Sequence, residues 1–171
     1  MGTARAPLAA IVLAAGKGTR MKSQKPKVLH EVCGRPLAFF PTRCALELGA
    51  DPVVAVVGHH AEAVEAALGA ALAGGALRFA VQREQLGTAH AVLAAREALG
   101  SYRGPVAILS GDTPLLTTET LRAVVEARAA SGAAVSFAVM TLAQPRGYGR
   151  VVRDGRGAPR AIVEEKDASE A

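Results

Sequence analysis

The chain has 171 residues, half of them hydrophobic and a fifth charged, which suits a single packed domain or part of a larger one and not a disordered tail. Its formal net charge is +5, with no Trp and 4% aromatic residues. Base stacking on aromatic platforms is therefore poorly provided for, and a local excess of positive charge serves an anionic small ligand at least as well as a polynucleotide.

The first element in chain order is "LAAIVLA" (8–14), a continuous apolar run of the kind found in strands buried on both faces. The basic stretch that follows is not the small-residue cleavage site a signal peptide would need. No apolar run is long enough to cross a bilayer, so the expectation is a soluble, cytoplasmic protein. Cys33 and Cys44 have no metal-type spacing and read as two buried thiols, with one disulfide as the alternative. A helix is expected after "GRPLAFF", with Pro41 kinking it or delaying its start.

Further strands are expected at "DPVVAVVG" (51–58), "LRFAV" (77–81), "PVAILSGD" (105–112) and "AAVSFAVM" (133–140). Helices are expected at 61–72, where Val64, Leu68 and Leu72 share a face, and at 118–128, where Leu121, Val124 and Val125 do, with Thr118 as N-cap. Strand and helix in alternation predict an α/β layer fold with a mainly parallel sheet. After Pro145 the pattern changes: "GYGRVV", "RDGRG" and "RAIVEE" predict a hairpin.

Ligands of open α/β sheets collect beyond the carboxyl ends of the strands, so the loops there carry the interest. The stretch "LAAGKGTRMKSQKPK" (13–27) holds five Lys or Arg and no acid. Gly16 and Gly18 leave room for backbone N–H groups to approach a phosphate. Arg20 offers a planar fork for phosphate, and Lys27 a compact charge. The spacing is neither that of a P-loop nor that of a dinucleotide fingerprint, and a solvated basic loop is the alternative. "LSGDTPLL" (109–116) puts Asp112 at the same edge, either as a Mg²⁺ carboxylate or as the cap of the turn before Pro114. "QREQLGTAHAV" (82–92) leads from a strand into a helix. There Gln82 could read a base edge, with Gly87 and Thr88 supplying close backbone approach and a hydroxyl; the alternative is an ordinary helix start capped by Thr88. His90, inside that helix, reads as structural and not catalytic. The four His show no zinc spacing, and Cys33 has no recognisable base.

Taken in order, "LAAGKGTRM", "KPKVLHEVCGRPL", "QREQLGTAHA", "SGDTPLL", "GYGRVVRD" and "IVEEKDAS" resemble the N-terminal uridylyltransferase domain of the bacterial bifunctional N-acetylglucosamine-1-phosphate uridyltransferases. The resemblance runs from Leu8 to the end of the chain. It implies a Rossmann-like nucleotidyltransferase fold, a mainly parallel sheet with helices on both faces. It implies that UTP and N-acetylglucosamine 1-phosphate give UDP-N-acetylglucosamine and pyrophosphate with Mg²⁺, in the synthesis of cell-envelope amino sugars (peptidoglycan and lipopolysaccharide).

Carried over by position, the resemblance makes Leu13, Ala14, Ala15 and Gly16 the backbone around the nucleotide. Arg20 becomes the catalytic arginine on the triphosphate and Lys27 the lysine at the phosphates. Gln82, Gly87 and Thr88 form the uracil set, and Ser110, Gly111 and Asp112 the segment beside the nucleoside. Asp112 is the metal ligand, while Gly149 and Glu164 hold the N-acetylglucosamine moiety. On this reading residues 1–145 are the nucleotide-binding part and 146–171 the start of the sugar-binding part. The remainder of the family domain, its two asparagines, the acetyltransferase β-helix and the trimer contacts lie outside this sequence, so the fold is expected to be C-terminally incomplete. The competing readings are another sugar-1-phosphate nucleotidyltransferase, a nucleotide-binding module without turnover, and a nucleic-acid binder. The last lacks stacking aromatics near the basic loop.

Overall fold

A computed structural model describes residues 7–16, 18, 21–72 and 77–168. It forms two compact units, Met1–Ser136 and Phe137–Ala171.

The first unit is organised around β1 (Ala9–Leu13) and β4 (Val53–Val57). Their sequences, AAIVL and VVAVV, are apolar throughout, and both strands are buried almost completely. Such runs suit strands covered on both faces. Flanking them are β5 (Leu77–Val81) and β6 (Val106–Ser110), in the order β5-β4-β1-β6, all parallel. Between β1 and β4 lie a 3-10 turn (Lys27–Leu29), a small antiparallel ribbon of β2 (Glu31–Val32) and β3 (Arg35–Pro36), and helix α1 (Phe39–Glu47). Helices α2 (Ala61–Ala71), α3 (Thr88–Ala94), α4 (Arg96–Leu99) and α5 (Thr118–Ser131) complete the unit.

Alternation along the strands divides the core, as a period of two requires. Ala10, Val12 and Val53 pack with Cys44 and Ala45 of α1, with Leu48 just after it and with Leu121 of α5. Ala55 and Val57 continue that face against Val64 and Leu68 of α2. Ile11, Val54 and Val56 face the other way, onto Ala91 of α3 and Ala95. Helices thus cover both faces, as expected. β6 is covered on one face only: Leu109 is buried while Ile108 is 52% exposed.

The second unit holds the expected hairpin, β7 (Arg150–Arg153) antiparallel to β8 (Pro159–Val163). Asp154 closes its turn by accepting from Arg156 N–H and Ala158 N–H through Oδ1, at 2.9 and 3.0 Å.

Four local expectations are corrected. The run 133–140 is irregular, not a strand. Its apolar residues include Val135 and Met140, both exposed, and an apolar run without a pairing neighbour has no ladder to join. The cap of α5 is Thr117, which accepts from Thr120 N–H, not Thr118. Helix α1 starts early enough that Pro41 falls in its first turn, where a missing N–H costs nothing, and it runs unbroken. Finally, Cys44 is buried but Cys33 is exposed, at a positive φ of 51° between β2 and β3, and both thiols are free.

Candidate functional site

Because all four strands run parallel, the loops after β1, β4, β5 and β6 emerge at one edge. The strand order reverses about β1: β4 and β5 lie to one side of it and β6 to the other. That is where open α/β sheets form a crevice.

At the β1–β6 side the backbone comes first. Ala14 N–H continues the ladder to Val56 O at 2.8 Å, and Gly111 N–H donates to Leu13 O at 2.9 Å. A Cβ on Gly111 would stand 2.6 Å from that Leu13 oxygen and 3.3 Å from Val28 Cγ1. Only glycine lets β6 finish this close to the end of β1. Ala14 and Ala15 are buried there and Gly16 is exposed. Ser110 is the last residue of β6, its carbonyl accepting from Thr113 Oγ1 at 2.7 Å.

Asp112 follows and is met by Lys27. The buried Val28 and Leu29 anchor the 3-10 turn that begins at Lys27. The Lys27 ammonium donates to Asp112 Oδ2, joining residues 85 positions apart. Each of these side chains keeps about a third of its surface exposed (33% and 33%). Two charges of the basic stretch thus acquire acids in space: Lys25 pairs with Glu31 at 3.1 Å and Lys27 with Asp112. Gly16 has open space above it, whereas a Cβ on Gly18 would meet Lys27 Cβ at 2.6 Å. Arg20 and Lys17, on which part of the expected phosphate site falls, lie outside the described residues.

At the β4–β5 side the groups are closer in sequence. Gln82 is buried to 4% exposure immediately after β5, its N–H bonded to Val57 O at 2.8 Å. Its Nε2 lies 3.2 Å from Gly87 O and 3.1 Å from His90 Nδ1. Gly87, not Thr88, occupies the N-cap of α3, at φ 98° and ψ −178°, a backbone that side chains rarely adopt. Thr88 is the first helical residue and is exposed. The two sides of the crevice touch: a Cβ on Gly58 would meet Ala15 O at 2.8 Å and Gln85 Nε2 at 3.1 Å. Of the expected residues in this unit, Leu13–Gly16, Lys27, Gln82, Gly87, Thr88 and Ser110–Asp112 therefore line one edge. The contact of His90 with Gln82 was not legible in the sequence, although a buried amide nitrogen with two protons requires two acceptors.

In the second unit, Gly149 and Glu164 flank the Arg150–Val163 pair of the hairpin. A Cβ on Gly149 would lie 3.9 Å from Glu164 Cδ, so the two are neighbours.

For a metal, Asp112 supplies one carboxylate. No group of three or more His, Cys, Asp or Glu able to hold an ion occurs among the described residues. This donor set does not fit a fully caged ion. It does fit Mg²⁺, which keeps several waters and shares one or two carboxylates with substrate phosphates. Among the described residues no helix is long and apolar enough to cross a membrane.

The sequence is similar to those of known proteins. The sequence model of the MobA-like NTP transferase domain matches residues 10–158. Relatives named "Bifunctional protein GlmU" align along nearly the whole chain. The one from Anaeromyxobacter sp. (strain K) is 74% identical over 171 residues, all of this chain and 35% of that protein. That from Anaeromyxobacter sp. (strain Fw109-5) is 76% identical over 165 residues, 96% of this chain and 34% of its own. That from Syntrophotalea carbinolica is 52% identical over 162 residues, 95% and 34% respectively. The chain thus spans about a third of the length of the curated relatives it matches. The resemblance drawn from the motifs is borne out by these matches.

Proposed function

We propose, from the premise that the chain belongs to the MobA-like NTP transferase domain family, that it carries the site for uridylyl transfer from UTP to N-acetylglucosamine 1-phosphate. The products are UDP-N-acetylglucosamine and pyrophosphate. The observation that carries this reading is the meeting of Lys27 and Asp112 at the strand switch. A lysine for phosphate and a carboxylate for a hydrated cation stand side by side, beside a strand end that leaves backbone open to a ligand.

The chemistry asks little of a side-chain nucleophile. The phosphate oxygen of the sugar phosphate attacks the α-phosphorus, the bond from that phosphorus to the α,β-bridging oxygen breaks, and pyrophosphate leaves with the electron pair. Two anions must be aligned, and holding reactants in line can supply ~7–11 kcal/mol. Leu13, Ala14, Ala15 and Gly16 hold the nucleotide by backbone, and Gln82 with Gly87 and Thr88 reads the base. Ser110 and Gly111 border the nucleoside. Lys27 turns from Asp112 to the phosphates, and Arg20 takes the triphosphate. Gly149 and Glu164 receive the acetamido sugar, so residues 1–145 serve the nucleotide and 146–171 begin the sugar site. Asp112, released from Lys27, would hold Mg²⁺. When bound, the ion supplies charge neutralisation on the phosphate oxygens. The reaction belongs to cytoplasmic synthesis of envelope amino sugars.

The test is pyrophosphate release from UTP, N-acetylglucosamine 1-phosphate and Mg²⁺ by this chain, with Asp112→Ala as control. Release that needs both Asp112 and this sugar phosphate is the expected result. Equal release by the control, or a folded chain that neither turns over nor binds UTP, would overturn the reading.

A further inference from the structure

The amide of Gln82 has only one chemically consistent orientation. Gly87 O is a carbonyl and can only accept, so the atom 3.2 Å from it must be the amide nitrogen. That nitrogen has a second proton, and His90 Nδ1 lies 3.1 Å away to take it. An Nδ1 that accepts carries no proton, which makes His90 the neutral tautomer with its hydrogen on Nε2. Both donors of the Gln82 amide are therefore spent inside the protein.

What is left is the amide oxygen. Among the described residues Oε1 accepts no hydrogen bond, and it is not among the side-chain atoms sealed from solvent without a partner, a condition found only at His30 Nε2. Gln82 as a whole is only 4% exposed, so its one remaining polar function is an acceptor at the surface of the crevice. Without His90 the same amide would lose one of the two partners that hold its nitrogen inward.

We propose that His90 is a positioning residue for nucleobase choice. By holding the Gln82 nitrogen, it presents the oxygen alone to the ligand, and the site selects a base with a ring N–H at that point. Uracil offers such a donor at N3. Cytosine has a lone pair at the same atom, which would face the Gln82 oxygen across a partly desolvated gap. The inference rests on the reading of this edge as a nucleotide site, and it adds a residue and a polarity to it.

Calorimetric titration with UTP, CTP and inorganic tripolyphosphate separates the possibilities, using the chain itself, His90→Leu and His90→Asn. Leu removes the acceptor, whereas Asn Oδ1 can replace Nδ1. The expected result is a UTP preference over CTP in the parent chain that falls about tenfold or more in His90→Leu. It is regained in His90→Asn, with tripolyphosphate affinity alike in all three. A long-range ¹⁵N–¹H spectrum of the parent is expected to show His90 protonated at Nε2. A parent preference retained in a folded His90→Leu, or an Nδ1–H tautomer, would overturn the proposal while leaving the nucleotide site intact. A parent chain that binds tripolyphosphate but no nucleoside triphosphate any better would overturn the base-reading site as well, and the proposal with it.

Discussion

Lys27 and Asp112 come together from positions 85 residues apart and keep a third of their surface in water. Gln82, Gly87 and His90 lie within one strand–loop–helix passage, and the central Gln82 is almost wholly buried. The first arrangement places full charges where solvent and ligands can replace either partner. The second fixes neutral dipoles where replacement would strand a buried donor. A crevice built this way can exchange ionic partners at the end proposed for phosphate while the end proposed for the base stays rigid. Pairing of the charges also keeps like charges from repelling before a ligand arrives, at small cost, because exposed pairs contribute only about 0–1 kcal/mol.

The sharpest test of this contrast is Lys27→Ala. If the lysine is a phosphate ligand and not a structural strut, turnover falls by roughly 10²–10³, the range for losing one preorganised donor, while the thermal midpoint hardly moves. A large loss of stability with normal turnover would reverse the assignment. Next is Gly111→Ala, which would drive a methyl group to within 2.6 Å of Leu13 O. Overpacking of this kind costs ~1–3 kcal/mol, measurable by urea unfolding, and pushes Asp112 away from the β1 end.

At the proposed base end, Gly87→Ala puts a side chain at φ 98°. Such strain costs about 1–3 kcal/mol, the lower part of that range if the loop yields. A yielding loop moves the carbonyl that Gln82 uses, so base preference should weaken while tripolyphosphate binding holds. The smallest effect is expected from Lys25→Ala. Lys25 belongs to the same basic stretch as Lys27, but its partner Glu31 is a half-exposed surface residue. Stability should change by less than about 1 kcal/mol, and turnover should stay near that of the parent.

The strand ends made much of this legible in advance. Short, mainly apolar runs located β1, β4, β5 and β6, and the polar residues that follow β6 and β5 pointed to Asp112 and Gln82. The hairpin after Pro145 was equally plain from its Gly- and Asp-rich turn. The segment 133–140 was misread because apolar content reports a wish for cover, and strand formation needs a partner's backbone as well. Thr117 and Thr118 are indistinguishable as caps by residue type; the choice depends on which of them keeps an extended backbone, and Thr117 does, at ψ 156°. His90 was set aside as structural because its partner lies eight positions back across a loop, a separation that carries no periodic signal.

One consequence follows from the position of β1 between two neighbours. Its amides are held on both sides, and the ladder ends at Ala14 N–H and Leu13 O. Two residues later Gly16 is exposed. In hydrogen–deuterium exchange the protein should therefore show a steep local gradient, from opening that requires global unfolding to opening that costs almost nothing. The ligand contacts proposed for Ala15 and Gly16 fall on that slope. An amide there starts with little protection, so occupancy of the crevice should register as a large slowing at these two positions against a silent background in β1.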